Sequence, residues 1–316
     1  MHLKIIQMKH IFLKICMLIV FQNMAMGQEI ADLMKELYVK EPSLKTCECG
    51  ELKEDIKQKA LEYINAVRAL HELEKVTYNH EKQKESQCAA FSIIANKKMT
   101  HYISSNARCY TPEAAYGAIN SNLSWSGLYH PAYAFVLFHI QGWMNEIGSN
   151  SVGHRRWILD PFMKKIAFGV AADYQSRSAG ASLYVIDIEE ISEKLKNQNL
   201  QFIAYPYKKY PAHLFPKNAY LSFSVIADKT SRFDDNREVD FSNTIISVLH
   251  QNEKHIVSDV SYDNEGAGVA NSIQWKVEGL EEGKAYTVKI QNVKVKNETK
   301  NYQYQFTIDP NMRIKL

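Results

Sequence analysis

Apolar residues recur at helical spacing in the first half of the chain and at strand spacing in the second. In "ELKEDIKQKALEYINAVRALHEL", Ile56, Ala60, Ile64, Val67 and Leu70 share one face while lysines and glutamates take the other, which predicts an amphipathic helix. "HEKQKESQCAAFSIIANKKMTHY" predicts a second helix with Cys88, Phe91 and Ala95 inward. "TPEAAYGAI" opens a third: Thr111 caps it, Pro112 fits the first turn and Glu113 complements the helix dipole. "HPAYAFVLFHIQGWMNEIG" predicts a mostly buried helix ending at Gly148. Two short apolar runs follow, "KKIAFGVAA" and "ASLYVIDI", separated by the polar "DYQSRSAG", as a strand pair requires.

Near residue 200 the period changes. "IAYPYKKYPAHLFP" holds three prolines and four aromatic rings and reads as an extended linker on a surface. Beyond it, "AYLSFSVIA", "TIISVL", "HIVSDV", "SIQWKV", "AYTVKIQNV" and "YQYQFTI" alternate apolar and polar positions, with Tyr302, Tyr304, Phe306 and Ile308 on one face. Turn residues such as Asp263-Asn264 and Glu282-Gly283 separate them. The fold class expected is α+β, with an all-β, immunoglobulin-like sandwich at the end. The expected organisation is 1–27 signal peptide, 28–52 cysteine-containing segment, 53–200 mixed domain, 201–216 linker and 217–316 sandwich.

Composition adds a compartment. The first residues carry Lys4, Lys9 and Lys14 ahead of the apolar run Ile15 to Phe21, and Ala25 and Gly27 stand at cleavage positions. The run is shorter than the ~20 residues a bilayer demands, so it reads as a cleavable signal peptide of a secreted or periplasmic protein. An uncleaved anchor is the other reading. Removing those lysines cancels the formal +3 of the chain, and no basic stripe is left for nucleic acid. Four cysteines then remain, Cys47, Cys49, Cys88 and Cys109, an even count that favours disulfides in an exported chain. Cys47 and Cys49 sit too close to pair with each other, so each is expected to reach Cys88 or Cys109.

The candidate chemistry lies in the first half: His101, Trp143, Glu146 and His154. Glu146 precedes His154 across the loop "IGSNSV", and Gly153 clears space beside the imidazole. No His-Glu-x-x-His spacing announces a metal. Arg155 and Arg156 are expected on opposite faces of a strand, and Trp125 and Trp143 in the core.

The order of these segments resembles the CAP superfamily, which includes cysteine-rich secretory proteins, antigen 5 and plant pathogenesis-related 1 proteins. "INAVR" stands where the family has Asn-x-x-Arg, at Asn65 and Arg68, and "MTHYIS" supplies a first cleft histidine, His101. "WMNE" matches Trp-x-x-Glu, and "VGHRRWILDP…IAFGV" matches the second histidine segment in a form similar to bacterial members. The resemblance covers roughly residues 54–190. It implies an α-β-α sandwich with a central cleft of two histidines and two acids. His101, Glu146 and His154 fill three of those places. Ser121, in "NSNLSW", stands at the fourth, where the family has glutamate, and Glu113 is the substitute considered.

Three functions follow as expectations. The first is a non-enzymatic binding module whose cleft, His101, Ser121, Glu146 and His154, takes a small apolar ligand, an envelope component or a divalent ion. Zn²⁺ on His101, His154 and Glu146 with an open water position is the cofactor such a set admits. The second is a metal-dependent hydrolase of peptides or envelope polymers. The third is an adhesion protein acting through the sandwich. Ser121 as a nucleophile with His154 and Glu146 is set aside, because no nucleophile-elbow pattern surrounds it.

Overall fold

A computed structural model describes residues 28–29, 31–127, 136–186, 194–266 and 268–314. The signal-peptide segment 1–27 and the first part of the fourth expected helix lie outside the described residues. No helix among those described is long and apolar enough to cross a membrane.

Helix α1 (31–37) leads into β1 (Tyr38–Lys40) and β2 (Glu51–Leu52), and α2 (Glu54–Ala69) follows. Strand β3 (Thr77–Tyr78), α3 (Gln83–Asn96), α4 (Pro112–Ile119), β4 (Ser121–Gly127), α5 (Val136–Asn145), α6 (Gly153–Ile158), β5 (Lys165–Asp173) and β6 (Ser178–Tyr184) complete the first half. The α2 face drawn from periodicity is the buried one, with Ile56, Ala60, Ile64 and Val67 inward. Thr111 caps α4 as expected, its hydroxyl accepting the Ala114 N–H at 3.0 Å.

The sheet runs β3-β5-β6-β4, with α3 and α4 on one side and α2 and α5 on the other. This is the α-β-α sandwich the resemblance implied. Helix α3 is buried on every side from Ser86 to Ala95. It sits so close that a Cβ on Gly169 of β5 or Gly180 of β6 would lie 2.4 Å from a helix carbonyl oxygen, so glycine is required there. Strand β5 has only the two-residue β3 beyond it, and side chains complete that edge. The N–H groups of Phe168, Val170 and Ala172 donate to the Tyr78 hydroxyl, Gln87 Oε1 and Tyr38 hydroxyl at 3.0–3.2 Å.

Disulfides Cys47–Cys109 and Cys49–Cys88 fasten the N-terminal segment to α3 and to the loop before α4. Each of the first pair reaches one of the second, as the spacing required.

The second half holds β7 (Phe202–Tyr205), β8 (Lys208–Pro211), β9 (Leu221–Val225), α7 (Asp234–Arg237), β10 (Ile245–His250), β11 (Glu253–His255), β12 (Val257–Asp263), β13 (Ser272–Val277), β14 (Ala285–Val295) and β15 (Glu298–Asp309). They form two sheets, β12-β13-β9-β7 and β11-β10-β14-β15-β8, a sandwich-like arrangement. Tyr304, Phe306 and Ile308 point into its core as their alternation predicted, while Tyr302 is half-buried.

Two expectations are corrected. Segment 201–216 is no surface linker: it supplies β7 to one sheet and β8, parallel to β15, to the other. Its aromatics Tyr205, Tyr210 and Phe215 are buried because they join the core instead of covering a surface. Arg155 and Arg156 lie on a short helix, not a strand, and both are buried. Arg155 Nη1 donates to Tyr220 O at 2.9 Å and Ser222 Oγ at 3.1 Å, with its guanidinium 3.7 Å above the Tyr205 ring. Arg156 Nη1 is 2.7 Å from both Asp263 oxygens, and its Nη2 donates to Val269 O at 2.9 Å. Gly268, at φ +74°, packs so tightly that a Cβ would meet the Arg156 carbonyl carbon at 2.4 Å. One apolar cluster runs through both halves. The sandwich therefore braces α6.

Candidate functional site

Helix α5 ends at Asn145, one residue before Glu146, whereas periodicity carried it to Gly148. Glu146 (φ +49°) and Val152 (φ +45°) both hold left-handed backbone without being glycine, and for a β-branched valine this is costly. The loop between them turns the chain back on itself. As a result the His154 N–H donates to Glu146 Oε1 at 2.5 Å, and His154 Nδ1 lies 3.0 Å from the same oxygen.

Burial resists charge on Glu146. The two His154 contacts and the nearby Arg155 charge outweigh it and hold the carboxyl below the usual glutamate range. Glu146 is thus an ionised, buried acceptor that sets the His154 ring. Because a carboxylate can only accept, His154 Nδ1 carries the proton in the neutral ring, and Nε2 is left as a bare acceptor.

His101 follows the same logic from another element. Its Nδ1 lies 2.7 Å from the Ala118 carbonyl near the end of α4. A carbonyl also only accepts, so Nδ1 donates and Nε2 is again the available nitrogen. Strand β4 brings Ser121 and Asn122: Asn122 Nδ2 donates to His154 O at 2.9 Å, joining the strand to α6. Trp143, buried as expected, ties α5 to β4 through Nε1–H to Leu123 O at 2.9 Å. The Ser121 hydroxyl is buried and has no hydrogen-bond partner.

The four sequence candidates line one open cavity of about 420 Å³. Tyr102, Ile119, Trp157 and Ile186 complete its apolar surface, and Ser149 and Ser151 add hydroxyls from the Glu146–Val152 loop. Sequence reasoning missed Asn122 and Tyr102, although each is the chain neighbour of a residue it chose. Two candidates fall elsewhere. Glu113 does not replace the missing acid: it faces outward, 2.5 Å from Lys84, on a cavity lined by the disulfides. Trp125, expected in the core, is 46% exposed.

Among the described residues, no group of three His, Cys, Asp or Glu is placed to hold a metal ion. The reason at this cleft is visible: Glu146 Oε1 is engaged by His154 itself, and Ser121 offers a hydroxyl where a second carboxylate would be needed. The donor set does not fit Zn²⁺.

Residues 61–187 match CAP, the cysteine-rich secretory protein family. These residues form a CAP domain. No curated protein matches the chain. Among solved structures, it is similar to an extracellular protein containing an SCP domain from Bacillus anthracis, at 15% identity and TM-score 0.30, covering 43% of this chain and 45% of that one. It is similar to NaASP2, solved with Zn²⁺, at 17% identity and TM-score 0.29, covering 42% and 78%. It is also similar to the CAP domain of enterococcal PrgA, at 14% identity and TM-score 0.31, covering 47% and 66%. The chain thus spans less than half of the Bacillus anthracis protein.

In the CAP domain the motif residues Asn65 and Arg68 brace the fold. The Asn65 amide exchanges hydrogen bonds with the Val76 backbone. Arg68, fully buried, donates to the carbonyls of Glu74, Ile158 and Asp160. The last two lie at and just past the end of α6, so Arg68 and the sandwich grip that helix from two sides.

Proposed function

We propose that the chain is a secreted CAP-domain protein whose cleft binds a small organic ligand without transforming it. The two disulfides support export, since such bonds persist in oxidising compartments. The binding reading is carried by one observation: Ser121, whose buried hydroxyl has no hydrogen-bond partner, lines the cavity shared by His101 and the Glu146–His154 pair. An unpaired buried hydroxyl is costly, and a ligand atom within reach recovers that cost. The volume suits a drug-sized molecule.

Neither hydrolase reading has this support. Metal-assisted attack needs three protein ligands and an open position. A serine mechanism needs the hydroxyl bonded to a base, and Ser121 makes no such bond.

The test is a ligand-observed NMR screen of a fragment library against wild type and His154→Ala. Hits that disappear in the variant are expected. Equal hits on both proteins, or none on either, would contradict a ligand site in the cleft. A second reading, adhesion through the sandwich, is favoured by Ile256, Val260 and Tyr262, exposed on and beside the edge strand β12. Val260→Lys would weaken a partner held there and leave the fragment hits unchanged.

A further inference from the structure

The cleft's chemistry narrows the ligand class, on the reading that the cleft is a ligand site. We infer that it takes a short segment of neutral carbohydrate. Three features point the same way. The first is the set of groups left open: Nε2 of His101 and of His154 are acceptors once their Nδ1 atoms donate to Ala118 O and Glu146 Oε1. The Ser121 hydroxyl both donates and accepts and has no partner. A ligand that satisfies all three must present several groups that donate and accept at close spacing, which is what ring hydroxyls do. An alkyl chain or sterol body would leave these atoms unpaired, at the cost of their desolvation.

The second feature is the aromatic rim. Tyr102 is 80% exposed at the cavity mouth, and Trp157 lines the wall. A phenol ring held in solvent beside a polar cleft offers its electron-rich face to the C–H side of a pyranose ring, while the hydroxyl edge turns to the polar groups. Third, the charge excludes acidic sugars. Among the described residues the lining contains no lysine or arginine, and its one carboxylate is the buried Glu146. A uronic acid or sulfated ring would meet repulsion and no cation.

The same carboxylate argues for binding without cleavage. Glycoside hydrolysis ordinarily uses two carboxyl groups, one with a raised pKa as the acid. Among the described residues lining this cavity there is one carboxylate, and it is engaged by the His154 backbone and ring.

The experiment is saturation-transfer NMR of the intact protein with chitotetraose, cellotetraose, maltotetraose and mannotetraose. A heparin-derived tetrasaccharide serves as the acidic probe and decanoate as the apolar one. At least one neutral tetrasaccharide is expected to bind. Its affinity should fall about tenfold in Ser121→Val, which removes one hydroxyl partner. A comparable fall is expected in Tyr102→Ala, a change at an exposed residue that leaves folding intact. If decanoate or the heparin fragment binds in a His154-dependent way and no neutral sugar does, the carbohydrate assignment is overturned while the cleft remains a ligand site. If a neutral sugar binds equally well to both variants, the assignment to this cleft is overturned. If no probe binds, the carbohydrate assignment falls, and the fragment screen alone decides whether the cleft binds anything.

Discussion

Lowering the pH should unfold this protein through two histidines that lie outside the cleft. His139 on α5 is fully buried, and burial pushes its pKa down to about 4. His71, fully buried between Ala204 O and the Tyr210 hydroxyl, is pushed down to about 3. In the unfolded chain both return to about 6.5. Below that value the unfolded state binds more protons than the native one, so stability rises with pH across the window. The contribution is complete above about pH 6.5 and is lost progressively down to about pH 4 for His139 and about pH 3 for His71.

At pH 5 each histidine costs about 2 kcal/mol relative to neutral pH, and the two together about 4 kcal/mol. The variant His139→Met isolates one of them. At pH 7 its stability should stay within about 1 kcal/mol of wild type, because it loses the Ser124 hydroxyl contact and also removes an Nε2 that has no partner. At pH 5 it should have gained about 2 kcal/mol on wild type. Urea unfolding at both pH values, followed by tryptophan fluorescence, measures this, and Trp143 lies 6.3 Å from the His139 ring. Identical losses between pH 7 and pH 5 in variant and wild type would refute the assignment.

Three further outcomes follow. Arg156→Met removes the partner of Asp263 and a donor to Val269, and should cost about 3–5 kcal/mol in denaturant unfolding, less when combined with Asp263→Asn. Replacing Cys47 and Cys109 by serine opens a loop with a sequence separation of 62 and should cost about 4 kcal/mol, measured by the same unfolding curves. A fluorophosphonate probe should leave Ser121 unlabelled, as intact mass spectrometry would show, and labelling there would revive the serine mechanism.

Much of this architecture was legible in the sequence where a face repeats. The α2 stripe, the capped start of α4 and the β15 alternation each bury a long, regular surface, and regular burial leaves a period. Short or non-local elements leave none. Helix α6 has six residues and no repeat, and its two arginines look like surface charge until Asp263, the Tyr220 carbonyl and the Ser222 hydroxyl of β9 come to meet them. Segment 201–216 resembled a linker because prolines and tyrosines do not alternate, yet the parallel pairing of β8 with β15 is made almost a hundred residues away in sequence. Cysteine count gave the disulfides, and only the fold decided between the two pairings. The cleft was legible through resemblance alone. His101, Ser121, Glu146 and His154 come from four elements, and no local pattern records that they meet.

Imidazole tautomers test the cleft most directly. Long-range ¹H–¹⁵N spectra of the histidine side chains at pH 7 should show Nδ1–H forms for both His101 and His154. Their Nε2 resonances should shift together when a cleft ligand from the fragment screen is added. An Nε2–H form at either ring would contradict the Nδ1 contacts to Ala118 O or Glu146 that orient the cleft, and two Nε2 signals indifferent to every bound fragment would mean that these histidines do not share one binding cavity.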